Sequence, residues 1–309
     1  MVSLSKTVIV KKKFVILLLL VLGQQAVKGQ VTDLPDNLRS ARIDSLLYDV
    51  LFADDELSRL LGLDKSFQFL YFRTNYDSRT TFAGREIGAN QYNLSGQLYY
   101  MHSLGIYAGV SGSWYSQLDP GYRATVLTLG YSKGLQRLKF FRYRISYDYY
   151  LFNSNIPDFD PLYTSSVNSG FTLRSKSVGT SFDASLLLGD DVSSQFNWAA
   201  YAYINLVKLG GYNKIRLEPE ASMYFGTESA AYLLGEVFVD PETNEEYDIY
   251  YQDKFGLLNI QFQLPLSLNL KNFDLRFSYI YNLPRQAGDA FDYPETSSFR
   301  LSLSYLFNL

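Results

Sequence analysis

Cysteine is absent from this 309-residue sequence, and histidine occurs once, at position 102. Without cysteine the chain has no disulfide framework, no thiolate metal site and no lipoprotein anchor. One histidine also excludes a histidine-rich metal centre. The sequence contains no phosphate-binding glycine motif, and its formal net charge of −3 gives no support to nucleic-acid binding. We therefore expect no metal, no cofactor and no nucleic-acid partner.

Long apolar runs are also lacking, apart from the segment 14–23 near the N-terminus. A transmembrane helix needs roughly 20 apolar residues, so this run is too short to span a bilayer. Lysines at 11–13 precede it, and the small residues Val27 and Gly29 follow it. This order predicts a secretory signal peptide over residues 1–29 and therefore export of the mature chain.

Charged residues are few, at 19%, whereas aromatic residues reach 17%, with 27 tyrosines and 22 phenylalanines. Tyrosine can place its ring in an apolar zone and its hydroxyl among lipid headgroups. This composition is therefore typical of the aromatic girdles of a membrane barrel. A tyrosine-rich soluble sandwich is the other interpretation of the composition alone.

Residues 30–66 form a predicted N-terminal segment with helical periodicity, in which Asp36 is a suitable N-cap and Gly62 a suitable C-terminal end. Two hypotheses follow for this amphipathic segment. It packs against the base or inside the lumen of the following domain, or its residues 37–62 dock a periplasmic or membrane protein partner. The apolar positions at helical spacing are Ile43, Leu46, Leu47, Val50 and Leu51.

From Phe67 onward apolar residues recur at every second position instead of at helical spacing. This pattern predicts β-strands and one domain over 67–309. Each predicted strand is near the roughly 9–11 residues that a tilted transmembrane strand needs. About twelve strands are predicted, at 67–78, 91–101, 105–115, 122–132, 138–152, 164–174, 177–188, 195–206, 213–225, 255–269, 272–282 and 297–307.

The last predicted strand separates an apolar face from a polar one. It resembles the closing strand of bacterial outer-membrane β-barrels, although two residues follow its final aromatic residue. The resemblance implies an all-β fold, a transmembrane antiparallel up-and-down β-barrel of about 12 strands with a short N-terminal periplasmic helical segment. It also implies outer-membrane lipid as the surroundings and a periplasmic C-terminus. The apolar face is Phe299, Leu301, Leu303, Tyr305 and Phe307, and the polar face is Arg300, Ser302 and Ser304.

The lengths of the predicted connections alternate. Outer-membrane barrels have short periplasmic turns and longer external loops, whereas a soluble sandwich has no reason to alternate in this way. The alternation therefore favours the membrane barrel. The short connections are 102–104, 133–137, 175–176, 207–212 and 270–271, and the mostly long ones are 79–90, 116–121, 153–163, 189–194, 226–254 and 283–296.

The fifth and tenth predicted strands also separate their faces, and their apolar sets are expected to meet lipid. A charge on that face costs roughly 2–4 kcal/mol at mid-membrane. On the first strand Phe69 and Tyr71 share a face with Arg73, so we expect that arginine to snorkel to the membrane boundary. The apolar sets are Phe141, Tyr143, Ile145, Tyr147, Tyr149 and Leu151, and Leu258, Ile260, Phe262, Leu264, Leu266 and Leu268.

The polar faces define a predicted lumen with as many basic as acidic side chains. A near-neutral lumen with its charges on different arcs favours polar or zwitterionic solutes. The alternative is that these side chains pair across a narrow lumen and fill it. The predicted lumen-lining residues are Arg142, Arg144, Asp148, Asp183, Arg216, Glu218, Glu220, Asp274, Arg276 and Arg300.

The longest predicted loop, 226–254, is rich in acidic and aromatic residues. Carboxylates can bind ions and tyrosines can stack on sugar rings, but the spacing matches no calcium-binding loop. The candidate ligand residues of this external loop are Asp240, Glu242, Glu245, Glu246, Asp248 and Tyr250.

Catalysis is not expected. A membrane-embedded lipase would resemble the outer-membrane phospholipase and would need a paired serine and histidine. His102 lies beside Ser103 in a predicted periplasmic turn, where adjacent residues seldom form such a pair. The sequence favours a passive channel or porin for small polar solutes. The alternative is a non-conducting structural or assembly barrel that docks a partner through its N-terminal helix.

Overall fold

The segments in which every second residue is apolar form the strands of one antiparallel sheet. In this computed structural model the sheet closes into a 12-strand barrel. No helix within the described ranges has the length and hydropathy needed to cross a membrane. The predicted signal peptide, 1–29, and the predicted helical segment, 30–66, lie outside the described residues. The structure describes residues 68–82, 85–86, 91–135, 137–156, 161–210, 213–233, 249–285 and 293–309.

The barrel strands, β1 to β12, follow one another around the wall in chain order. A separate two-stranded hairpin, Thr81–Phe82 with Arg85–Glu86, lies in the first external connection. The barrel strands are β1 Gln68–Asp77, β2 Asn93–His102, β3 Ile106–Tyr115, β4 Tyr122–Leu135, β5 Leu138–Phe152, β6 Tyr163–Arg174, β7 Val178–Gly189, β8 Val192–Ala202 with Ile204–Gly210, β9 Asn213–Leu217 with Glu220–Leu233, β10 Ile249–Leu270, β11 Phe273–Pro284 and β12 Thr296–Asn308.

The first and last strands pair and thereby close the barrel. Leu70 lies opposite Phe307, and Asp77 lies opposite Arg300, in an antiparallel register. Closure is necessary because hydrocarbon contains no water to satisfy the N–H and C=O groups of a free strand edge. The predicted up-and-down antiparallel barrel is confirmed.

The hairpin of β9 and β10 is longer than the sequence predicts. β9 continues to Leu233 and β10 begins at Ile249, so the predicted loop 226–254 shrinks to 234–248. Outside the bilayer a hairpin needs no apolar face, and the alternation that marks a strand disappears there. The predicted loop 189–194 is likewise reduced to Asp190 and Asp191 between β7 and β8.

A proline interrupts β9 without shifting its register. Pro219 has no N–H to give to the ladder, but its carbonyl accepts the N–H of Ala202 at 2.9 Å. Glu220 stays opposite Tyr201 on the adjacent β8. The pairing of the two strands therefore resumes in phase on the other side of the proline.

The outer surface of the wall is apolar and the inner surface is polar. On β12, Phe299, Leu301 and Phe307 point outward and are 45–49% exposed, whereas Ser302 and Ser304 point inward and are buried. This arrangement is the reverse of that in a water-soluble barrel and fits a lipid environment. The wall therefore fits a barrel that spans a lipid bilayer, and the sides called periplasmic and external below follow the expectation that short turns lie in the periplasm.

Two details of the predicted lipid face are wrong. Phe69, Tyr71 and Arg73 point into the barrel and are buried, whereas Phe72 points outward. Because side chains alternate, one choice of phase decides the whole face of a strand, and the inward aromatic residues suggested the wrong phase. Leu258 is also only 4% exposed, because the pairing of β9 with β10 skips it at a bulge.

Glycines on the neighbouring strands let three inward-facing tyrosines pack closely against the wall. In each case the tyrosine is directly opposite the glycine on the neighbouring strand, and a Cβ there would lie 2.2–2.4 Å from the ring. Such contact is available only to a residue without a side chain. The pairs are Tyr99 with Gly109, Tyr107 with Gly130, and Tyr201 with Gly179.

Replacement of Gly109 tests this packing. The Gly109→Ala variant should lose about 1–3 kcal/mol of unfolding free energy, because the new methyl group would overlap the ring of Tyr99. Urea unfolding in detergent micelles measures the loss. Gly134→Ala is the matched control, because this glycine also faces inward and a Cβ there would lie 3.6 Å from its nearest neighbour. Equal stability of the two variants would contradict the packing.

A charge on the lipid face tests the membrane placement. Leu264 on β10 is 48% exposed and points outward, so Leu264→Arg should cost about 2–4 kcal/mol in lipid vesicles. Leu104→Arg, in the turn between β2 and β3, is the control and should change stability by less than about 1 kcal/mol. Similar losses in both variants, in unfolding titrations, would argue against a lipid-facing β10.

Candidate functional site

A cavity occupies the external half of the lumen, and we call it the outer cavity. Its walls come from strands on all sides of the barrel, so closure of the sheet is what assembles it. Charged and amide side chains dominate the lining, which is Arg73, Asn75, Asp77, Arg79, Thr80, Thr81, Asn93, Gln97, Arg144, Asp183, Ser185, Gln195, Phe196, Asn197, Tyr224, Gln261, Ile280, Ser298 and Arg300.

One side of the outer cavity is built by β1 and β12. Arg73 is 7% exposed and donates from Nε to Asn75 Oδ1 at 2.8 Å and from Nη2 to Ser302 Oγ at 3.3 Å. Arg300 donates from Nε to Asp77 Oδ1, which ties the closing strand to the first strand. These contacts hold both guanidinium groups at defined positions on the wall.

The opposite side carries a second ion pair, which crosses an intervening strand. Arg144 on β5 reaches Asp183 on β7, with Nη2 and Oδ1 2.6 Å apart. Gly170 on β6 lies between them in the register, and a Cβ there would lie 2.1 Å from Asp183 Oδ1. The absence of a side chain at this glycine therefore permits the ion pair.

Three residues that line the outer cavity have buried acceptor oxygens. Within the described part of the chain, no donor reaches Asp77 Oδ2, Gln97 Oε1 or Asn197 Oδ1. Asp77 and Gln97 are buried, at 3% and 8% exposed. Each of these oxygens is shielded from the lumen, so it lies within the wall of the outer cavity and not at its surface.

The periplasmic half of the lumen has an ionic cluster on β9 and β11. Glu218 contacts Arg276 at 3.1 Å and Arg216 at 3.4 Å, and Arg276 is 3.6 Å from Asp274. The guanidinium groups of Arg174 and Arg216 both lie over the ring of Tyr203, at 4.4 and 4.9 Å from its centroid. Opposite charges and cation–π contacts thus stabilise one another here.

An aromatic arc lines the part of the periplasmic half formed by β12 and β1 to β3, next to this cluster. Tyr99 and Tyr107 form an edge-to-face pair with ring centroids 6.3 Å apart. Tyr71 donates its hydroxyl to Ser304 Oγ at 3.2 Å, so its polar end is satisfied along the wall. All members of the arc are less than 9% exposed although they face inward; they are Phe69, Tyr71, Tyr99, Met101, Tyr107 and Leu306.

Three further predicted lumen residues make local contacts on the wall. Arg142 donates to the hydroxyl and carbonyl oxygens of Ser132 at 2.9 and 3.0 Å. Asp148 accepts a hydrogen bond from Asn168 at 2.9 Å, and Glu220 accepts one from Ser222 at 2.8 Å. None of these three acidic or basic residues lines the outer cavity.

The ten predicted lumen residues all lie at inward-facing positions, but only Arg144, Asp183 and Arg300 line the outer cavity. The sequence interpretation missed Arg73 and Asp77 because it assigned the wrong phase to β1. The polar alternation of Arg73, Asn75 and Asp77 was the signal that could have found them. The lumen therefore contains Arg73 in addition to the five arginines that the sequence predicts there.

The predicted external ligand residues are not brought into the described site. Asp240, Glu242, Glu245, Glu246 and Asp248 lie outside the described residues. Tyr250 lies in β10, opposite Tyr232, where a loop was predicted. His102 closes the turn after β2, where its Nδ1 accepts the N–H of Leu104 at 3.0 Å.

No protein-family model and no curated protein sequence matches the chain. Several solved structures of outer-membrane channels are similar to it. The KdgM porin shares 7% identity, covers 77% of this chain and 98% of its own, and has a TM-score of 0.44. An outer-membrane channel from Pseudomonas putida F1 shares 10% identity, with 79% and 95% covered and a TM-score of 0.43. The NanC porin shares 10% identity, with 76% and 98% covered and a TM-score of 0.40.

Proposed function

We propose that this barrel is a passive outer-membrane channel for small polar solutes, and that the outer cavity is the place where it selects them. The observation that supports this function is the polar lining of the outer cavity, to which strands around the barrel contribute charged and amide groups. Such groups replace part of the hydration shell of a polar solute, so that entry into the lumen costs little.

The route through the periplasmic half passes between the aromatic arc and the ionic cluster. Twelve strands make a barrel intermediate between an eight-stranded one, which side chains fill, and a sixteen-stranded porin, which leaves an aqueous channel. The side chains of the arc and the cluster are largely buried, so this is the narrow part of the route. In this proposal the outer cavity selects and the periplasmic half limits the flow.

The burial of the side chains in the arc and the cluster also favours a second candidate function, that of a barrel that does not conduct. Side chains that fill the periplasmic half would make the protein a structural or assembly barrel. The partner-docking form of that hypothesis depends on residues 37–62, which lie outside the described residues. An enzyme is not proposed, since His102 Nδ1 is engaged in the turn that it closes.

Single-channel recording separates the two candidates. The purified, correctly folded protein in a planar lipid bilayer should produce discrete current steps, because a continuous polar route conducts ions. Heat-modifiable migration in gel electrophoresis verifies the fold of the sample. A folded barrel that gives no current steps would rule out the channel and favour the non-conducting barrel.

Truncation of the aromatic arc should widen the narrow part. The double variant Tyr99→Ala and Tyr107→Ala removes two rings that face the lumen, so single-channel conductance should rise, on the order of twofold. Tyr147→Ala is the control, because this tyrosine is 45% exposed and points toward lipid. An unchanged conductance in the folded double variant would show that the arc does not limit the flow.

A further inference from the structure

The turn between β4 and β5 combines basic and apolar side chains that are exposed at the end of the barrel where the short turns lie. We propose that this turn and the neighbouring β6–β7 turn bind the headgroup of an anionic phospholipid in the adjacent leaflet. The inference goes beyond the channel function, because the site is on the outer wall and does not require conduction. We call the four exposed basic residues the basic patch, and they are Lys133, Arg137, Lys139 and Lys176.

The two turns of the basic patch lie side by side. Leu173 near the end of β6 is opposite Phe141 on β5, so the β6–β7 turn, which contains Lys176, lies beside the β4–β5 turn. The sequence has no aspartate or glutamate in 129–144 or in 168–182. The charged side chains of these two stretches are therefore all basic, and the patch is complementary to an anionic surface.

Lys133 lies at the level of the wall where lipid headgroups are expected. Its neighbour Ser132 is buried and accepts a hydrogen bond from Arg142 inside the barrel, so Lys133 points outward. Tyr143 lies directly opposite Lys133 on β5, and the ring centroids of Tyr131 and Tyr143 are 6.1 Å apart. Tyrosines at the edge of a membrane barrel mark the boundary between hydrocarbon and headgroups, so a lysine just beyond them meets the phosphates.

Apolar residues in the same turn favour lipid over a water-soluble partner. Leu135, Leu138 and Phe140 are 41%, 42% and 50% exposed, although they lie at the end of the wall. Exposed apolar groups beside basic ones bind an anionic bilayer surface, because burial of the apolar groups and attraction to the phosphates act together. The basic patch is also continuous with the lipid-facing wall, since the outward rings of Phe141 and Phe171 stack next to it.

Native mass spectrometry of the folded protein in detergent tests the site. Phosphatidylglycerol should bind more tightly than phosphatidylcholine with the same acyl chains, which has no net charge. The double variant Lys133→Gln and Lys139→Gln should raise the dissociation constant of phosphatidylglycerol by about tenfold or more, because two charges that attract the phosphate are lost. The matched control is Lys208→Gln with Lys271→Gln, which removes the same charge at two other short turns and should leave that constant nearly unchanged.

The outcomes are distinct. Equal affinity for the two lipids would overturn the proposal and leave the basic patch to a water-soluble acidic partner. Equal effects of the two double variants would also overturn it, since the attraction would then belong to the whole basic end of the barrel. Displacement of phosphatidylglycerol by an equal concentration of glycerol 3-phosphate, which has no acyl chains, would indicate a phosphate site and not a lipid site.

Heat-modifiable migration verifies the fold of each variant. If the double variant does not fold, Arg137→Gln in the β4–β5 turn takes its place. An unchanged affinity for phosphatidylglycerol in that folded variant would reject the basic patch as a lipid site.

Discussion

The hydrogen bonding of the backbone in hydrocarbon is the constraint on which the rest of this structure depends. A strand edge exposed to lipid would leave a row of N–H and C=O groups without partners, so the sheet has to close. β1 and β12 meet along almost their full lengths, from Phe69 opposite Asn308 to Asp77 opposite Arg300. Closure brings together residues that are far apart in the chain and creates an interior whose walls come from every strand.

Glycines in the strands determine how the large inward-facing side chains pack on the inner surface of the barrel. Glycines opposite Tyr99, Tyr107 and Tyr201 allow large rings to lie flat, and Gly170 allows Arg144 to reach Asp183 across a strand. Inward-facing side chains therefore contact one another along the wall. Glycine in these strands therefore has a packing role that its low strand preference does not reveal.

The lumen divides into two parts with different physical properties. The external part is a cavity lined by charged and amide groups, some of whose acceptor atoms receive no hydrogen bond from a described residue. The periplasmic part contains an aromatic arc and an ionic cluster. In the cluster Glu218 contacts Arg216 and Arg276, and Asp274 contacts Arg276. This architecture favours a division of roles in which the external part selects solutes and the periplasmic part limits their flow.

The sequence by itself determined the barrel, the number of strands and the end at which the short turns lie. Alternation, strand length and loop parity are local properties, and the lipid environment enforces them residue by residue. The sequence interpretation is wrong at β1, where Tyr71 lies inside the barrel. Its hydroxyl reaches Ser304 on β12, and this contact exists only in the closed barrel. Only the tertiary structure decided which charges form the outer cavity. Arg73, Arg144 and Arg300 come from strands distant in sequence, and their proximity depends on register and closure, which no local pattern encodes.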